Sequence, residues 1–539
     1  MPRRDSPSRR QDVFERLRLQ RFDLLVIGAG IVGSRVAYEA AREGLSVALV
    51  DAGDYAGCTS SASSKLLHGG LRYLSTGDVR LVRQLLAEQR AIATQVAPHL
   101  VEPMPLVLAV EERSAARTAK LSVALALYAS LSGLRRPLPR RVSLEDAAEL
   151  IPPLRRDSVG ACGVINEMLT NDARLTLATA RAAARAGAVT ANYARVLELE
   201  RERGRIAAAV VEDVPTGERV RVRFRAVVNA AGPFVDLVRA LEESSAAPLV
   251  RLSMGVHVVV PLRGEWRGGL ALFDEGGTAF AIPWHGMLLI GATDSPHEVP
   301  LPPRVIDPAD IQQLLGRFAD VLPPGDLLAS SVVHAFAGLR VLPLGSIATP
   351  RASRRHVVAV GSGGMVSIAG GKLTTHRLIA MDALRHLPSE VRPRRCKPSV
   401  EALGRTCPGT AESRLRASLG SDTAEHLIRL YGADAARVAA YGDGAVNALE
   451  RVDPRGPDIW AQVDFARDEE WAVTVDDVVT RRTTLALRGL ASAGLVEAVR
   501  RRLASSEGAP NTTPGAQAES RPALASALSD GAAGVPRGP

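Results

Sequence analysis

The chain opens its ordered pattern with an apolar run, Phe22 to Ile27, of strand length, which leads directly into a glycine turn. From Ile31 to Glu43, Val32, Val36 and Ala40 recur at helical spacing, and Gly44 suits a helix C-cap. Ser46 to Val50 is a second short apolar run, so residues 22–51 read as strand, turn, helix, strand. Residues 57–70 are rich in Ser and Gly and read as a loop that ends in a helix start. Residues 78–97 and 173–187 have helical periodicity. Runs at 196–199, 205–211 and 220–224, with the turn Pro215-Thr216-Gly217 between the last two, predict a small antiparallel sheet. Ala226 to Asn229 is a further short strand. Strands are also predicted at 256–261, 287–291 and 357–361. Residues 305–322 read as helix, and a Gly-rich passage at 361–371 precedes another helix from about residue 374. From 408 to 503 the pattern is helical throughout, and no internal repeat is visible.

Charge and composition narrow this picture. The N-terminal 20 residues are basic and read as a solvated arm, and the Ala, Gly, Ser and Pro content after 505 predicts a disordered tail. Lys plus Arg is 67 against 58 acidic residues, a net charge of +9, and aromatics are only 4 %. So few aromatics leave no base-stacking platform, and a nucleic-acid partner is not expected. Cys58, Cys162, Cys396 and Cys407 are far apart and form no CxxC pair, so neither a metal site nor a disulfide framework is expected and a cytoplasmic setting fits. The longest helical apolar segment, Leu121 to Leu131, falls short of the ~20 residues that span a bilayer. The Arg pairs at 3–4 and 9–10 precede no apolar signal segment.

The glycine turn carries the first chemistry. Gly28, Gly30 and Gly33 follow an apolar strand and open a helix, the setting in which GxGxxG points to a dinucleotide. Gly28 permits the tight turn, Gly30 lets the backbone approach a pyrophosphate, and Gly33 lets helix and strand pack closely. Backbone N–H groups at Ala29 and Ile31 and the helix dipole face the phosphates. Asp51 ends the second strand 18 residues past Gly33, where an acid accepts from ribose hydroxyls. The late strand–turn–helix at Gly361–Lys372 suggests a cofactor clamped from both ends of the chain, which suits extended FAD better than NAD.

Beyond the turn, Thr59 to Leu74 reads TSSASSKLLHGGLRYL. Further along come Asn171-Asp172-Ala173-Arg174-Leu175, Asn229-Ala230-Ala231-Gly232-Pro233, Ile282-Pro283-Trp284, Gly291-Ala292-Thr293-Asp294, Ala337-Gly338-Leu339-Arg340 and Gly370-Gly371-Lys372-Leu373-Thr374-Thr375. Leu430-Tyr431-Gly432 and Asp477-Val478-Val479-Thr480-Arg481-Arg482-Thr483 complete the series. In these segments and their order, residues 22–500 resemble the FAD-dependent glycerol-3-phosphate dehydrogenase family and its relative, glycerophosphate oxidase. The resemblance implies an α/β chain, α+β overall. It has a discontinuous Rossmann-type FAD domain (21–75, 160–252, 335–390), an inserted antiparallel-sheet substrate domain (76–159, 253–334) and a C-terminal helical domain (400–504). It implies oxidation of glycerol 3-phosphate to dihydroxyacetone phosphate, with a proton leaving the C2 hydroxyl and a hydride passing from C2 to the flavin. A quinone, or oxygen in the oxidase branch, then receives the electrons.

The same resemblance assigns residues. Thr59, Ser60, Ser63, Ser64, Lys65 and Leu66, with Gly232, Gly371, Lys372, Leu373 and Thr374, face the cofactor. Arg72, Tyr73, Arg340, Arg354 and Thr375 face the substrate, whose phosphate suits guanidinium groups. Arg354 aligns ambiguously with Arg351 and Arg355. Lys372 is expected near the flavin ring. A general base is needed, and His68 and His257 are both candidates. Two positions depart from the family pattern: Met254 stands where a Lys is usual, and Val341 where a Pro is usual. The first appears as a lost cation and keeps open an FAD enzyme for another hydroxyl or amine substrate; a further alternative, a flavin-binding protein without catalysis, is opposed by the retained His68, His257, Arg340 and Lys372. Leu121–Leu131 beside Arg135-Arg136-Pro137-Leu138-Pro139-Arg140-Arg141 reads as an interfacial anchor for an anionic membrane surface, placing the protein peripherally on the inner face of the cell membrane. A homodimer also stays open.

Overall fold

A computed structural model describes residues 10–504 apart from 111–113, 135–136, 275–276, 304, 324, 326, 345–355, 396 and 444–446. The arm expected over residues 1–20 is helical in its second half: α1 (Arg10–Leu19) buries Val13, Phe14 and Leu17. Its charge obscures an apolar stripe of three residues, and Arg10 is itself engaged, donating from Nε to Asp213 at 2.8 Å. Residues 1–9 and the tail after 504 lie outside the described residues.

β1 (Arg21–Ile27), α2 (Ile31–Arg42) and β2 (Val47–Val50) form the predicted unit. β3 (Leu66–Leu67) closes the serine-rich loop, and α3 (Val79–Ala91) follows. A first excursion comprises β4 (Val101–Val110), α4 (Ala115–Leu131), β5 (Arg140–Val142), α5 (Leu144–Leu150) and β6 (Ala161–Thr170). The chain returns through α6 (Asp172–Arg185), β7 (Val189–Ala191), β8 (Ala194–Glu202), β9 (Arg205–Asp213), β10 (Arg219–Asn229) and α7 (Val235–Glu242). A second excursion holds β11 (Val250–Pro261), β12 (Gly269–Asp274), β13 (Gly277–Trp284), β14 (Met287–Gly291), β15 (Ser295–His297), α8 (Pro308–Gly316) and β16 (His334–Pro343). Then come β17 (Val357–Val360), β18 (Val366–Ala369) and α9 (His376–Arg385). The last described part is helical: α10 (Gly409–Leu419), α11 (Ser421–Tyr431), α12 (Ala435–Ala439), α13 (Trp460–Glu469) and α14 (Ala493–Ala504).

The first sheet runs β17-β18-β10-β1-β2-β7, with β9 and β8 added beyond β10. β18, β10, β1, β2 and β7 are parallel neighbours, so β1 is covered on both faces, as its near-continuous apolar run requires. Leu24 and Val26 join a core with α2, α6 and α9, while Leu25 and Ile27 join α1 and the β8–β10 meander. The two runs at 220–224 and 226–229 are one strand. β10 pairs antiparallel with β9 in its first half and parallel with β1 along most of its length. The second sheet runs β15-β11-β14-β13-β12-β4-β6-β3, with β16 on β11 and β5 on β6, and is antiparallel except for the β4–β12 pair. β6 and β16 therefore pair in this sheet, although their stretches fall in the segments expected for the cofactor domain. β6 and β16 end the two excursions, and the chain goes on from them to α6 and to β17, so the boundary lies at strand ends that leave no compositional mark.

The helical region docks on the first sheet through buried charge. Asp54 accepts from Arg481 Nε at 2.7 Å and from both terminal nitrogens of Arg482 at 2.8 Å. Arg174 at the start of α6 grips Glu470 with two 2.7 Å bonds.

Candidate active site

The glycine turn admits no larger residue at two of its positions. Gly28 has φ +101°, and a Cβ there would lie 2.5 Å from the Ala230 carbonyl oxygen. A Cβ on Gly33 would lie 1.8 Å from the Gly28 oxygen. Gly30 caps α2, and the Ile31 amide donates to Ser60 Oγ at 3.0 Å, so Ser60 stands at the helix N-terminus where an anion is favoured. Asp51 accepts from the Ala29 amide at 2.6 Å and the Gly53 amide at 2.8 Å. Burial pushes its carboxyl up to about 6, against those two bonds. Each carboxylate oxygen keeps a lone pair for a ribose hydroxyl. A cradle that a Cβ would fill, a helix N-terminus and an acid at the end of β2 together fit the pyrophosphate and ribose of FAD.

The serine-rich loop is fixed from two sides. Asp172, the first residue of α6, accepts from Ser63 Oγ at 2.6 Å, the Ser63 amide at 3.0 Å and Lys65 Nζ at 2.7 Å. Lys65 Nζ also donates to the Ser61 carbonyl at 2.6 Å. The Ser63 hydroxyl and the Lys65 ammonium thus bind the loop to α6. Thr59 Oγ1 donates to the Leu339 carbonyl at 2.7 Å, and a Cβ on Gly338 would lie 2.1 Å from the Ala62 oxygen, so β16 lies hard against the loop. Leu66 pairs with Leu169 of β6.

Segments from opposite ends of the chain meet around Tyr73. Lys372 Nζ lies 5.0 Å from the Tyr73 ring centre and the Arg72 guanidinium 5.1 Å, with Arg72 donating to the Tyr73 hydroxyl at 3.3 Å. The His68 ring is 6.2 Å from the same ring. Thr374 Oγ1 donates to the His68 carbonyl at 3.3 Å, and Thr375 Oγ1 to the Lys372 carbonyl at 3.4 Å. Gly370 and Gly371, both with positive φ, let the chain turn sharply into Lys372 and Leu373. Gly232 adopts φ +58° in the turn after β10.

On the second sheet, β11 and β16 set Ser253 opposite Arg340 and His257 opposite Phe336. Arg340 donates to the Thr293 carbonyl at 2.8 Å, and to the Met254 carbonyl and Asp294 Oδ1 at 3.2 Å. The hydroxyl of Ser253 also binds Asp294. His257 lies within β11, not at its start as the pattern suggests; its Nε2 is 2.9 Å from Ser64 Oγ, and its ring stacks on Phe336 at 4.9 Å. Burial, then Arg340 and Lys65, pushes His257 down to about 3, so the ring is neutral. Ser253, Gly255 and His257 alternate toward Arg340 and Ser64, whereas Met254 packs with Val256 and Val258 into the opposite core. The apparent lost cation at Met254 therefore lies on the other face of the sheet from Arg340. Arg351, Arg354 and Arg355 lie outside the described residues.

Asp172, Asp294 and Glu167 are the site residues that sequence reasoning did not single out. Asp172 and Asp294 stand in the quoted segments, and an acid at a helix start is a signal for the first. Glu167 carries no sequence signal.

Residues 23–377 match the family described as FAD dependent oxidoreductase, and residues 399–508 match the C-terminal domain of alpha-glycerophosphate oxidase. Glycerol-3-phosphate dehydrogenase 2 of Mycobacterium tuberculosis is 35 % identical over 499 residues, covering 89 % of this chain and 84 % of the relative. The mitochondrial glycerol-3-phosphate dehydrogenase of Homo sapiens is 34 % identical over 525 residues, covering 91 % and 71 %. The solved glycerol-3-phosphate dehydrogenase of Bacillus halodurans, complexed with FAD, aligns with a TM-score of 0.73 at 26 % identity over 92 % of each chain. With both family matches in chain order and the glycine cradle intact, this chain belongs to the FAD-dependent glycerol-3-phosphate dehydrogenase family.

Proposed function

We propose that the protein oxidises sn-glycerol 3-phosphate to dihydroxyacetone phosphate and passes the electrons to a membrane quinone. Bound FAD supplies the acceptor for the C2 hydride. The observation that carries the reading is the contact group of His68, Arg72, Tyr73 and Lys372, with Ser64 earlier in the same loop bonded to His257, whose charge Arg340 disfavours. In this reading Arg72 and Arg340 bind the phosphate as permanent cations, with the Tyr73 hydroxyl as a further donor and Thr375 holding the Lys372 carbonyl beside them. Lys372, Leu373 and Thr374 would hold the flavin from the late end of the chain, just after the turn at Gly370 and Gly371. His68 takes the C2 hydroxyl proton. His257, held neutral by burial and bonded to Ser64, is a weak final holder of that proton and orients the substrate instead.

Attachment to an anionic membrane surface on the cytoplasmic face supplies the route to quinone. Val123, Leu127 and Leu134 are exposed on and just after α4, near the basic Arg140-Arg141 pair. Among the described residues no helix is long and apolar enough to cross a membrane. Flotation with anionic liposomes tests the attachment; failure to bind at any lipid composition or salt would remove it. Oxygen uptake measured beside reduction of a quinone analogue separates the two acceptors.

Anaerobic titration with glycerol 3-phosphate is expected to bleach the flavin, while glycerol, lactate and amino acids leave it oxidised. Persistence of the oxidised spectrum with the phosphate overturns the reading. Arg340→Ala is expected to retain FAD and to raise the half-saturating substrate concentration about 10–100-fold, the worth of a charged hydrogen bond. Loss of FAD instead would reassign Arg340 to the cofactor.

A further inference from the structure

The peptide groups around His68 are held by a buried polar network that neither cofactor nor substrate binding explains. Glu167, on β6, is only 2 % exposed. Its Oε2 accepts from the Gly69 amide at 2.8 Å and from Gln89 Nε2 at 2.6 Å, and its Oε1 accepts from the Tyr128 hydroxyl at 3.2 Å. Gln89, on α3, also donates to the Leu67 carbonyl at 2.7 Å. With Thr374 on the His68 carbonyl, three successive residues are each tied down by a side chain from a different element. Tyr128 packs directly on this segment, and a Cβ on Gly69 would lie 1.9 Å from its hydroxyl.

Among the described residues no cation pairs with Glu167, and burial pushes its carboxyl up to about 7. An acid buried without a cation is costly, and an apolar residue would pack at less expense. Its three donors all converge on the segment that carries His68, which places its benefit there.

We propose that Glu167 is a positioning residue for the oxidation, acting through the Gly69 amide and Gln89 to hold His68 beside Tyr73 and Lys372. This rests on the glycerol 3-phosphate reading for its kinetic consequence but not for its structural one. In Glu167→Met, both carboxylate oxygens are gone at similar side-chain length, so the Gly69 amide, Gln89 and Tyr128 all lose their acceptor. In the FAD-loaded protein, the rate of flavin bleaching at saturating glycerol 3-phosphate is expected to fall about tenfold or more, as small displacements of catalytic groups do. The half-saturating concentration and FAD content stay at parental values. Deuterium exchange is expected to rise over residues 66–74 and to stay unchanged over α6. Tyr128→Phe, which removes one donor and keeps the Gly69 bond, is expected to fall between parent and Glu167→Met. Parental rate and parental exchange in Glu167→Met overturn the proposal. If that variant does not fold, Gln89→Met supplies the same exchange measurement, with faster exchange over 66–74 in support and unchanged exchange against. A parent that glycerol 3-phosphate does not bleach overturns the functional reading alone, and the exchange comparison still decides the role of Glu167.

Discussion

A methyl group at Gly33 would need the 1.8 Å gap to the Gly28 oxygen to open, and both partners are main chain. Gly33→Ala is therefore expected to lose most bound flavin, with the 450 nm to 280 nm absorbance ratio after desalting as the measurement; a parental ratio would show that the turn yields. This position is legible in sequence because its physics is local: strand, turn and helix lie within a dozen residues. Asp172 and Glu167 are not legible in the same way. Their partners Ser63 and Gly69 are 109 and 98 residues away, and only the fold brings them together. Met254 shows a third case. Its residue type is read correctly, but the face it occupies follows from the parity of β11, which a sequence with uncertain strand ends does not fix.

At the scale of elements, the Rossmann unit and the meander are readable because parallel central strands and hairpins leave strong apolar signatures. β18 is hidden, since its four residues sit inside a glycine-rich passage. α1 is hidden by its arginines, and the membership of β6 and β16 by their place at the ends of the two excursions, where composition does not change. The docking of the helical region is also silent in sequence, although the Thr480-Arg481-Arg482 run that makes it is conspicuous. Asp54→Asn leaves two buried guanidinium groups facing a neutral amide, and is expected to cost about 3–5 kcal/mol, the usual cost of breaking a buried pair. Equilibrium urea unfolding measures it. Because Asp54 follows Asp51 in the same loop, flavin retention is expected to fall with it; a variant of parental stability would show that the arginines find other acceptors.

For the whole molecule, titration of buried groups sets the pH range. Burial pushes His257 and His376 down to about 3, and His99 and His334 down to about 4; His285 lies well below its ordinary value. The unfolded chain protonates these rings near 6.5 and the folded chain does not, so their contribution is full above that pH and is lost as the pH falls. Asp51 and Glu167, raised to about 6 and about 7, act in the opposite sense, because the folded state takes up their protons first. Five rings outweigh two carboxyls, so the unfolding temperature is expected to drop between pH 7.5 and pH 5. A thermal scan followed by flavin fluorescence checks the sign, and a rise would show that the carboxyls dominate.

The strand order of the first sheet also sets a schedule for synthesis on the ribosome. β1 is made first and sits at the centre, yet its neighbour β10 emerges some 200 residues later, and β18 and α9 later still. At about 5–20 residues per second, the wait from β1 to α9 is on the order of tens of seconds. Throughout it, β1 and β2 present an apolar face and an open edge to solvent. The nascent chain therefore needs shelter for most of its translation, and FAD finds its full cradle only when about two thirds of the polypeptide has been made.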